Sequence, residues 1–266
     1  MTQVQDLSNR PGDSILRKPA QSILASASGA SSAEQLRLFL KQNTFLASLG
    51  DAALSTLTRR GHLRRYAAGD VIFRRQDRGD TLMIIVTGLI KITNCNADGK
   101  EIVLNFLGSG DTYGEMAVFN GQVRTADAIA LQETEVFSIY ARDLLPLLTA
   151  NPHALLEMLQ LLCEKLRAAS AAIEDNSLDM RRRVARGLLR LALQHGRTSK
   201  KEIRVNLAVS QSELGAYLGL SRENVNRQLA QLRDAGVIRT DGAQIVLTDG
   251  VALAEIAEVS LAACAK

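Results

Sequence analysis

Tyr113-Gly-Glu-Met-Ala-Val-Phe-Asn-Gly-Gln-Val-Arg-Thr-Ala126 sets a glutamate beside a glycine and, nine residues later, an arginine followed by a threonine. The stretch interrupts a region that otherwise reads as strands. A core strand has no use for Glu115 and Arg124, because each is costly to bury without a partner. A small anion that also carries a hydroxyl-bearing sugar satisfies both charges at once. The rest of the chain makes sense if something binds there and its presence is reported elsewhere.

Working outward, short runs rich in Val, Ile, Leu and Thr are bounded by Gly or Asp between about residues 60 and 140. They are Val71–Phe73, Thr81–Thr87, Leu89–Thr93, Glu101–Leu107, Ala126–Leu131 and Glu135–Ile139. Many short strands at this spacing predict an antiparallel barrel or roll. Asp98-Gly99 reads as a two-residue hairpin turn. Before the roll, apolar residues from Ser32 to Leu57 recur at helical spacing, broken at Leu49-Gly50-Asp51. Residues 1–32 are rich in small polar residues and are expected to be a disordered tail.

After the roll, Leu155, Met158, Leu162, Leu166, Ala169 and Ile173 advance by threes and fours. This stripe predicts a long helix over 151–176 that outruns what a small roll can cover, and its near-heptad spacing suits a homodimer seam. Residues 179–195 read as another helix with the basic face Arg181, Arg182, Arg183, Arg186 and Arg190. In the segment Val209–Leu232, Ser210 with Glu213 makes a capping box, Gly219 supplies a tight turn and Ser221 caps a second helix. Two short helices joined through a glycine turn form a helix-turn-helix. At 100° per residue the second helix points Val225, Leu229 and Leu232 inward and Arg222, Glu223, Asn226 and Arg227 outward, near its start. Arginine can grip guanine, glutamate can accept from cytosine and asparagine can pair with adenine. Val237–Leu247 reads as a hairpin turned at Asp241-Gly242, the wing of a winged helix.

Composition narrows the function classes. Residues 181–266 hold 14 Lys and Arg against 8 Asp and Glu, whereas residues 1–180 hold 18 against 20. A basic C-terminal third on a neutral body suits double-stranded DNA as partner. Cys95, Cys163 and Cys264 form no C-x-x-C pair, and His62, His153 and His195 are scattered, so no metal site or iron–sulfur cluster is expected. No apolar run is long enough to span a bilayer and no secretory signal opens the chain, so the expected location is cytoplasmic, without membrane association. The expected fold class is α+β: an N-terminal antiparallel β-roll, a long dimerisation helix and a C-terminal winged helix-turn-helix. The expected domains are the tail at 1–32, the roll with its N-terminal helices at 33–143, the dimerisation helix at 144–178, the DNA-binding domain at 179–250 and a C-terminal helix or tail at 251–266.

In that order, these parts resemble the cyclic-AMP receptor protein/fumarate–nitrate regulator (CRP/FNR) family of bacterial transcription factors, on the cyclic-AMP receptor-like branch. The resemblance spans roughly residues 43–247. Gly114-Glu115, eight residues, then Arg124-Thr125-Ala126 is similar to the phosphate-binding cassette of cyclic-nucleotide-binding domains. The resemblance implies Gly114, Glu115, Met116, Ala117, Arg124 and Thr125 as ligand residues, with Glu115 on the ribose 2′-hydroxyl, Arg124 on the cyclic phosphate and Thr125 assisting. It also implies that Ala169-Ser170 aligns with a Thr-Ser pair that contacts adenine across the dimer, which leaves the Ser170 hydroxyl. Arg-Thr-Ala also resembles cassettes that favour cyclic GMP, so cyclic AMP is the first choice and cyclic GMP the second. Ser221–Arg227 is similar to the family's recognition helix, which implies DNA contacts by Gln211, Ser221, Arg222, Glu223, Asn226 and Arg227. Arg222, Glu223 and Arg227 stand where relatives read a TGTGA-type half-site, while Asn226 departs from the glycine or serine common there. RNA polymerase is a further partner implied by the family. The family also has a haem-binding branch, whose His/Cys set has no match here, so no haem is expected.

A constitutive regulator, or one answering another ligand such as cyclic di-GMP, is the alternative within the class. An enzyme with a regulatory nucleotide domain would need a catalytic domain, and no Ser/His/Asp set, phosphate loop or metal cluster is seen in the sequence. A scaffold protein would not need Arg222, Glu223 and Arg227 facing outward.

Overall fold

The computed structural model describes residues 32–199, 202–205, 209–242 and 244–259. Residues 1–31 of the expected tail and Cys264 fall outside these residues, while Ser32, the tail's last residue, opens a helix. The chain divides into two units between Glu174 and Asp175.

The first unit opens with α1 (Ser32–Leu40), α2 (Thr44–Ser48) and α3 (Asp51–Arg60). Eight strands follow: β1 (His62–Tyr66), β2 (Val71–Phe73), β3 (Thr81–Thr87), β4 (Leu89–Cys95), β5 (Glu101–Gly108), β6 (Thr112–Tyr113), β7 (Asp127–Ala130) and β8 (Thr134–Tyr140). They form two antiparallel sheets, ordered β1-β8-β3-β6 and β2-β7-β4-β5. The helices α5 (Ala141–Ala150) and α6 (Pro152–Asp175) come after the strands.

The run Leu82-Met-Ile-Ile-Val86 is buried on both sides because β3 separates two cores. Leu82, Ile84 and Val86 pack with Phe39, Phe45, Leu54, Leu57 and Phe137 beneath the helices. Met83 and Ile85 point the other way, with Tyr66, Ile90, Leu107, Tyr113 and Val136, into the roll interior. Alternation of period two therefore survives in a run that looks uniformly apolar. Gly88 turns β3 into β4 at φ +103, and a Cβ there would collide with Thr134.

Three local expectations differ from what is found. The hairpin near Asp98-Gly99 exists, but its loop is Asn96–Lys100, five residues long: Asn96 N–H donates to Lys100 O at 3.0 Å. The Asn96 side chain accepts from the Asp98 and Lys100 amides, at 3.0 and 2.9 Å, which stabilises the wider turn. Inside the Tyr113–Ala126 stretch lies a helix, α4 (Glu115–Asn120), between two left-handed glycines, Gly114 and Gly121. On α6, Met158 is buried with Ala154 in the unit's own core. The apolar residues left facing outward are Leu155, Leu156, Leu159, Leu166 and Ile173.

In the second unit, Asp179 caps α7 (Met180–His195), its side chain accepting from Arg182 N–H. A hairpin of β9 (Gly196–Ser199) and β10 (Glu202–Val205) follows, which sequence reading did not foresee. Next come α8 (Gln211–Leu218), α9 (Arg222–Asp234), β11 (Ile238–Asp241), β12 (Gln244–Leu247) and α10 (Gly250–Ile256). The wing strands join the earlier hairpin in one sheet ordered β11-β12-β10-β9. Asp241 pairs with Gln244, so Asp241 belongs to the strand ladder rather than to the turn, which begins at Gly242, one residue later than expected. Position 243 lies outside the described residues.

Candidate functional site

Gly114 takes φ +86 at the start of α4, a conformation that glycine adopts without strain. Its missing side chain also makes room, since a Cβ would run into Arg124 Nη1. Arg124 is only 3 % exposed. Its Nη2 donates to Thr81 Oγ1 at 2.8 Å and Thr81 O at 3.0 Å, and its Nη1 donates to Gly114 O at 3.2 Å. The guanidinium lies over the Phe73 ring, 4.4 Å from its centroid. The chain around it is pinned as well: Arg124 N–H donates to Asp77 O at 2.8 Å, and Gln76 N–H to Arg124 O at 2.9 Å. Burial pulls the guanidinium below its ordinary pKa, against the opposing pull of Tyr113, Asp80, Glu115 and Asp77. Arginine starts so far above neutrality that the group stays charged.

Glu115 is 7 % exposed. Its Oε2 is 2.9 Å from Lys165 Nζ on α6, within ion-pair reach but without hydrogen-bond alignment. Lys165 Nζ donates to Thr112 O at 2.7 Å, so α6 is tied to the edge of the cassette. Ala117 is buried, whereas Met116 and Thr125 are exposed and meet each other, Thr125 Oγ1 to Met116 Sδ at 3.7 Å. Asn94 Nδ2 donates to Thr125 O at 3.3 Å. Ser170 stands exposed on α6, and among the described residues no hydrogen bond joins it to the cassette.

Eight buried side-chain atoms among the described residues lack a hydrogen-bond partner. Four of them gather here: Asn94 Oδ1, Tyr113 Oη, Arg124 Nε and Glu115 Oε2, the last of which has the Lys165 ammonium beside it as an ion-pair partner. Buried polar atoms are normally satisfied, and a polar ligand or ordered water would supply the partners that Asn94 Oδ1, Tyr113 Oη and Arg124 Nε lack. No group of three or more His, Cys, Asp or Glu among the described residues is placed to hold a metal ion.

The second candidate surface is the helix-turn-helix. Ser210 and Glu213 form the full capping box on α8, and Gly219 ends that helix in the left-handed conformation. Ser221 Oγ accepts from Asn224 N–H at 3.2 Å and starts α9. Val225, Leu229 and Leu232 are buried, while Gln211, Ser221, Arg222, Glu223 and Arg227 are exposed. Arg227 Nη2 is held by Asn224 Oδ1 at 2.7 Å. Asn226 is half-buried, and its Oδ1, like Gln228 Oε1, lacks a partner. Two more of the eight unmet atoms therefore lie on this helix.

A family profile described as cyclic nucleotide-binding domain matches residues 63–151, and one described as Crp-like helix-turn-helix domain matches residues 182–256. A CRP-like cAMP-activated global transcriptional regulator of Mycobacterium tuberculosis is 30 % identical over 204 residues, 76 % of this chain and 91 % of that protein. The chain belongs to the CRP/FNR family. The cyclic AMP receptor protein of Thermus thermophilus is 33 % identical over 208 residues, covering 78 % of this CRP/FNR-family chain and 91 % of the relative. Among solved structures, the c-di-GMP responsive regulator CLP of Xanthomonas campestris aligns with a TM-score of 0.60 at 27 % identity, over 74 % of this chain and 99 % of that one. FixK2 of Bradyrhizobium japonicum, at 23 % identity, shares the fold with a TM-score of 0.67 over 74 % of this chain and 96 % of that one. The chain thus has the architecture of a CRP/FNR-type DNA-binding regulator, which is that of a non-catalytic transcription factor. Among the described residues, no helix is long and apolar enough to cross a membrane.

Several residues that shape these surfaces of the CRP/FNR-family chain were missed in the sequence. Lys165 ends the row Ala154, Met158, Leu161, Lys165 at helical spacing, the face α6 turns to its own unit, and that row was the available signal. Thr81 and Phe73, which hold Arg124, gave none. The basic face of α7 also works differently from expectation. Arg186 Nη1 and Arg190 Nη1 reach the buried carboxylate of Asp175, at 3.2 and 2.9 Å. Arg183 Nη2 donates to the carbonyls of Asn176 and Leu178. Asp175 is the last residue of α6, where the helix dipole disfavours a negative charge, and the two arginines offset that cost. Arg190 Nε also donates to Tyr217 Oη on α8 at 2.8 Å. These arginines hold helices together, so less of the C-terminal positive charge is free for phosphate than the composition implies.

Proposed function

We propose that the protein is a homodimeric transcription regulator whose affinity for palindromic DNA is set by a cyclic nucleotide, cyclic AMP before cyclic GMP, bound in each roll. The observation that carries the reading is the pairing of two nearly buried, opposite charges, Glu115 and Arg124, with a local excess of unmet polar atoms. A carboxylate suits ribose hydroxyls and a guanidinium suits the cyclic phosphate. Thr125 is exposed at the cassette rim and available to the ligand. The two curated relatives named above are described as a cAMP-activated regulator and a cyclic AMP receptor.

Dimerisation is supported by the outward residues of α6. Leu155, Leu159, Leu162, Leu166, Ala169 and Ile173 repeat by four and three, the a/d spacing of a two-stranded coil. Leu166 and Ile173 are 69 % and 71 % exposed, an apolar face that water disfavours. In a parallel pair with that register, Lys165 falls at a g position and faces the e position five residues on, the partner subunit's Ser170. Since Lys165 is tied to Glu115, a serine hydroxyl from the partner would arrive beside the nucleotide's base. Ligand affinity then differs between arrangements of the two long helices, which is what population shift requires. Two recognition helices would enter successive major grooves about 34 Å apart, with Arg222, Glu223 and Arg227 at the base edges and Gln211, Ser221 and Asn226 beside them. RNA polymerase is the partner through which such a regulator would act.

The second reading is a regulator that is constitutive or answers cyclic di-GMP. It draws on CLP, described as c-di-GMP responsive, and on the three hydrogen bonds that Arg124 already makes to its own chain. Calorimetry with cyclic AMP, cyclic GMP and cyclic di-GMP separates the readings. The first predicts micromolar or tighter binding of a mononucleotide that Arg124→Leu abolishes. Binding of cyclic di-GMP alone, or of none of the three, sinks it.

A further inference from the structure

Tyr113 lies on β6, its ring in the roll interior with Met83, Ile85, Ile90 and Val136. It is 3 % exposed, and its hydroxyl has no hydrogen-bond partner among the described residues. Phenylalanine would fill the same apolar space without burying an unmet hydroxyl, so the oxygen is a cost that the packing alone does not explain. Burial pushes the phenol pKa up, while the charge of Arg124 acts on it in the opposite direction. The group therefore stays a neutral O–H, a donor at any ordinary pH.

The place of that donor is informative. Arg124 Nη1 donates to the carbonyl of Gly114, the residue that follows Tyr113. Phe73 lies against both side chains, its centroid 5.8 Å from the Tyr113 ring and 4.4 Å from the Arg124 guanidinium carbon. Arg124 Nε is the second buried donor here with no partner. The other edge of the guanidinium is held by Thr81 and Gly114. The Tyr113 ring and the Arg124 guanidinium share Phe73 as a neighbour, and each side chain keeps one unmet buried donor, one neutral and one cationic, a combination complementary to an anionic oxygen.

We infer that Tyr113 is a ligand-binding residue, its hydroxyl donating together with Arg124 Nε to an oxygen of the effector's phosphate. The inference rests on the reading of the cassette as a cyclic-nucleotide site. It adds a residue of the roll interior to a site otherwise drawn from the Gly114–Thr125 segment and Ser170. An internal water satisfying Tyr113 is the competing account.

The test uses the full chain with cyclic AMP and cyclic GMP as probes, in calorimetry and in thermal unfolding without ligand. Tyr113→Phe should weaken binding of whichever nucleotide the wild type takes by about tenfold to a hundredfold, the effect of one hydrogen bond to a charged group. Its ligand-free unfolding midpoint should be unchanged or higher. If Tyr113→Phe binds within twofold of wild type while Arg124→Leu does not bind, the hydroxyl serves a water and this inference falls, with the cassette reading intact. An affinity loss accompanied by a lower ligand-free midpoint also overturns it, because the hydroxyl then supports the fold. A wild type that binds neither nucleotide overturns this inference and the cassette reading together.

Discussion

Glu115 and Lys165 form the contact through which the long helix reaches the cassette. Lys165 Nζ stands 2.9 Å from Glu115 Oε2 and donates to Thr112 O. Removing the ammonium leaves a nearly buried carboxylate beside a carbonyl that has lost its donor, and uncompensated buried polar groups are expensive. Lys165→Met keeps the length and the apolar stem of the side chain. It should lower stability by about 1–3 kcal/mol in urea unfolding; no change would mean that solvent already screens the pair. Gln76 is a smaller case of the same kind. It holds φ +76, a left-handed conformation that disfavours side chains, while its N–H bonds Arg124 O. Gln76→Gly should raise stability by about 0.5–1 kcal/mol, read as a higher midpoint in the same urea unfolding experiment.

Among the elements, α6 divides its apolar residues between two tasks. Ala154, Met158 and Leu161 pack on the unit's own core, and the outward row faces away from it. The division makes a paired prediction. Met158→Ala should destabilise the first unit by about 2–5 kcal/mol in urea unfolding without changing the oligomeric state. Ile173→Glu should instead convert the protein to monomers in sedimentation, with little effect on the unit's own unfolding. The sequence could not separate the rows, because apolar residues at 155, 156, 158, 159, 161 and 162 form a band wider than a seam. Which edge faces inward is decided by where α6 docks, and that is tertiary information. The capping box at Ser210 and Glu213 was legible because the chemistry is local and complete within four residues. The β9–β10 hairpin was not, since Gly-Arg-Thr-Ser and Glu-Ile-Arg-Val show no sustained alternation. The helix α4 is too short, at six residues, to declare a period. Glu115 and Arg124 stood out because charges in a strand-like region demand partners. Thr81, which holds Arg124, is one more strand threonine until the roll brings it there.

At the scale of the whole molecule, the proposed nucleotide site lies in one unit and the proposed recognition helix in the other, and α6, the proposed dimer helix, ends in sequence where the two units divide. Two sites with one equilibrium between them are coupled reciprocally, so nucleotide should tighten DNA binding and DNA should tighten nucleotide binding by the same factor. Couplings of this kind commonly amount to about 5–150-fold. The DNA side has its own signature. Arg222→Ala should cost about 1–3 kcal/mol on a selected palindromic site and less on random duplex, whereas loss of a phosphate contact would weaken both alike. The arginines of α7 that bind Asp175 and the 176–178 backbone should contribute little to the salt dependence of DNA binding, because they are already engaged. The most direct measurement is the affinity of the full chain for a selected palindromic duplex, at fixed salt, titrated with cyclic AMP and separately with cyclic GMP. At least one nucleotide should tighten binding about fivefold or more, with Arg124→Leu holding the unliganded affinity at every nucleotide concentration. A DNA affinity that neither nucleotide changes would contradict the account.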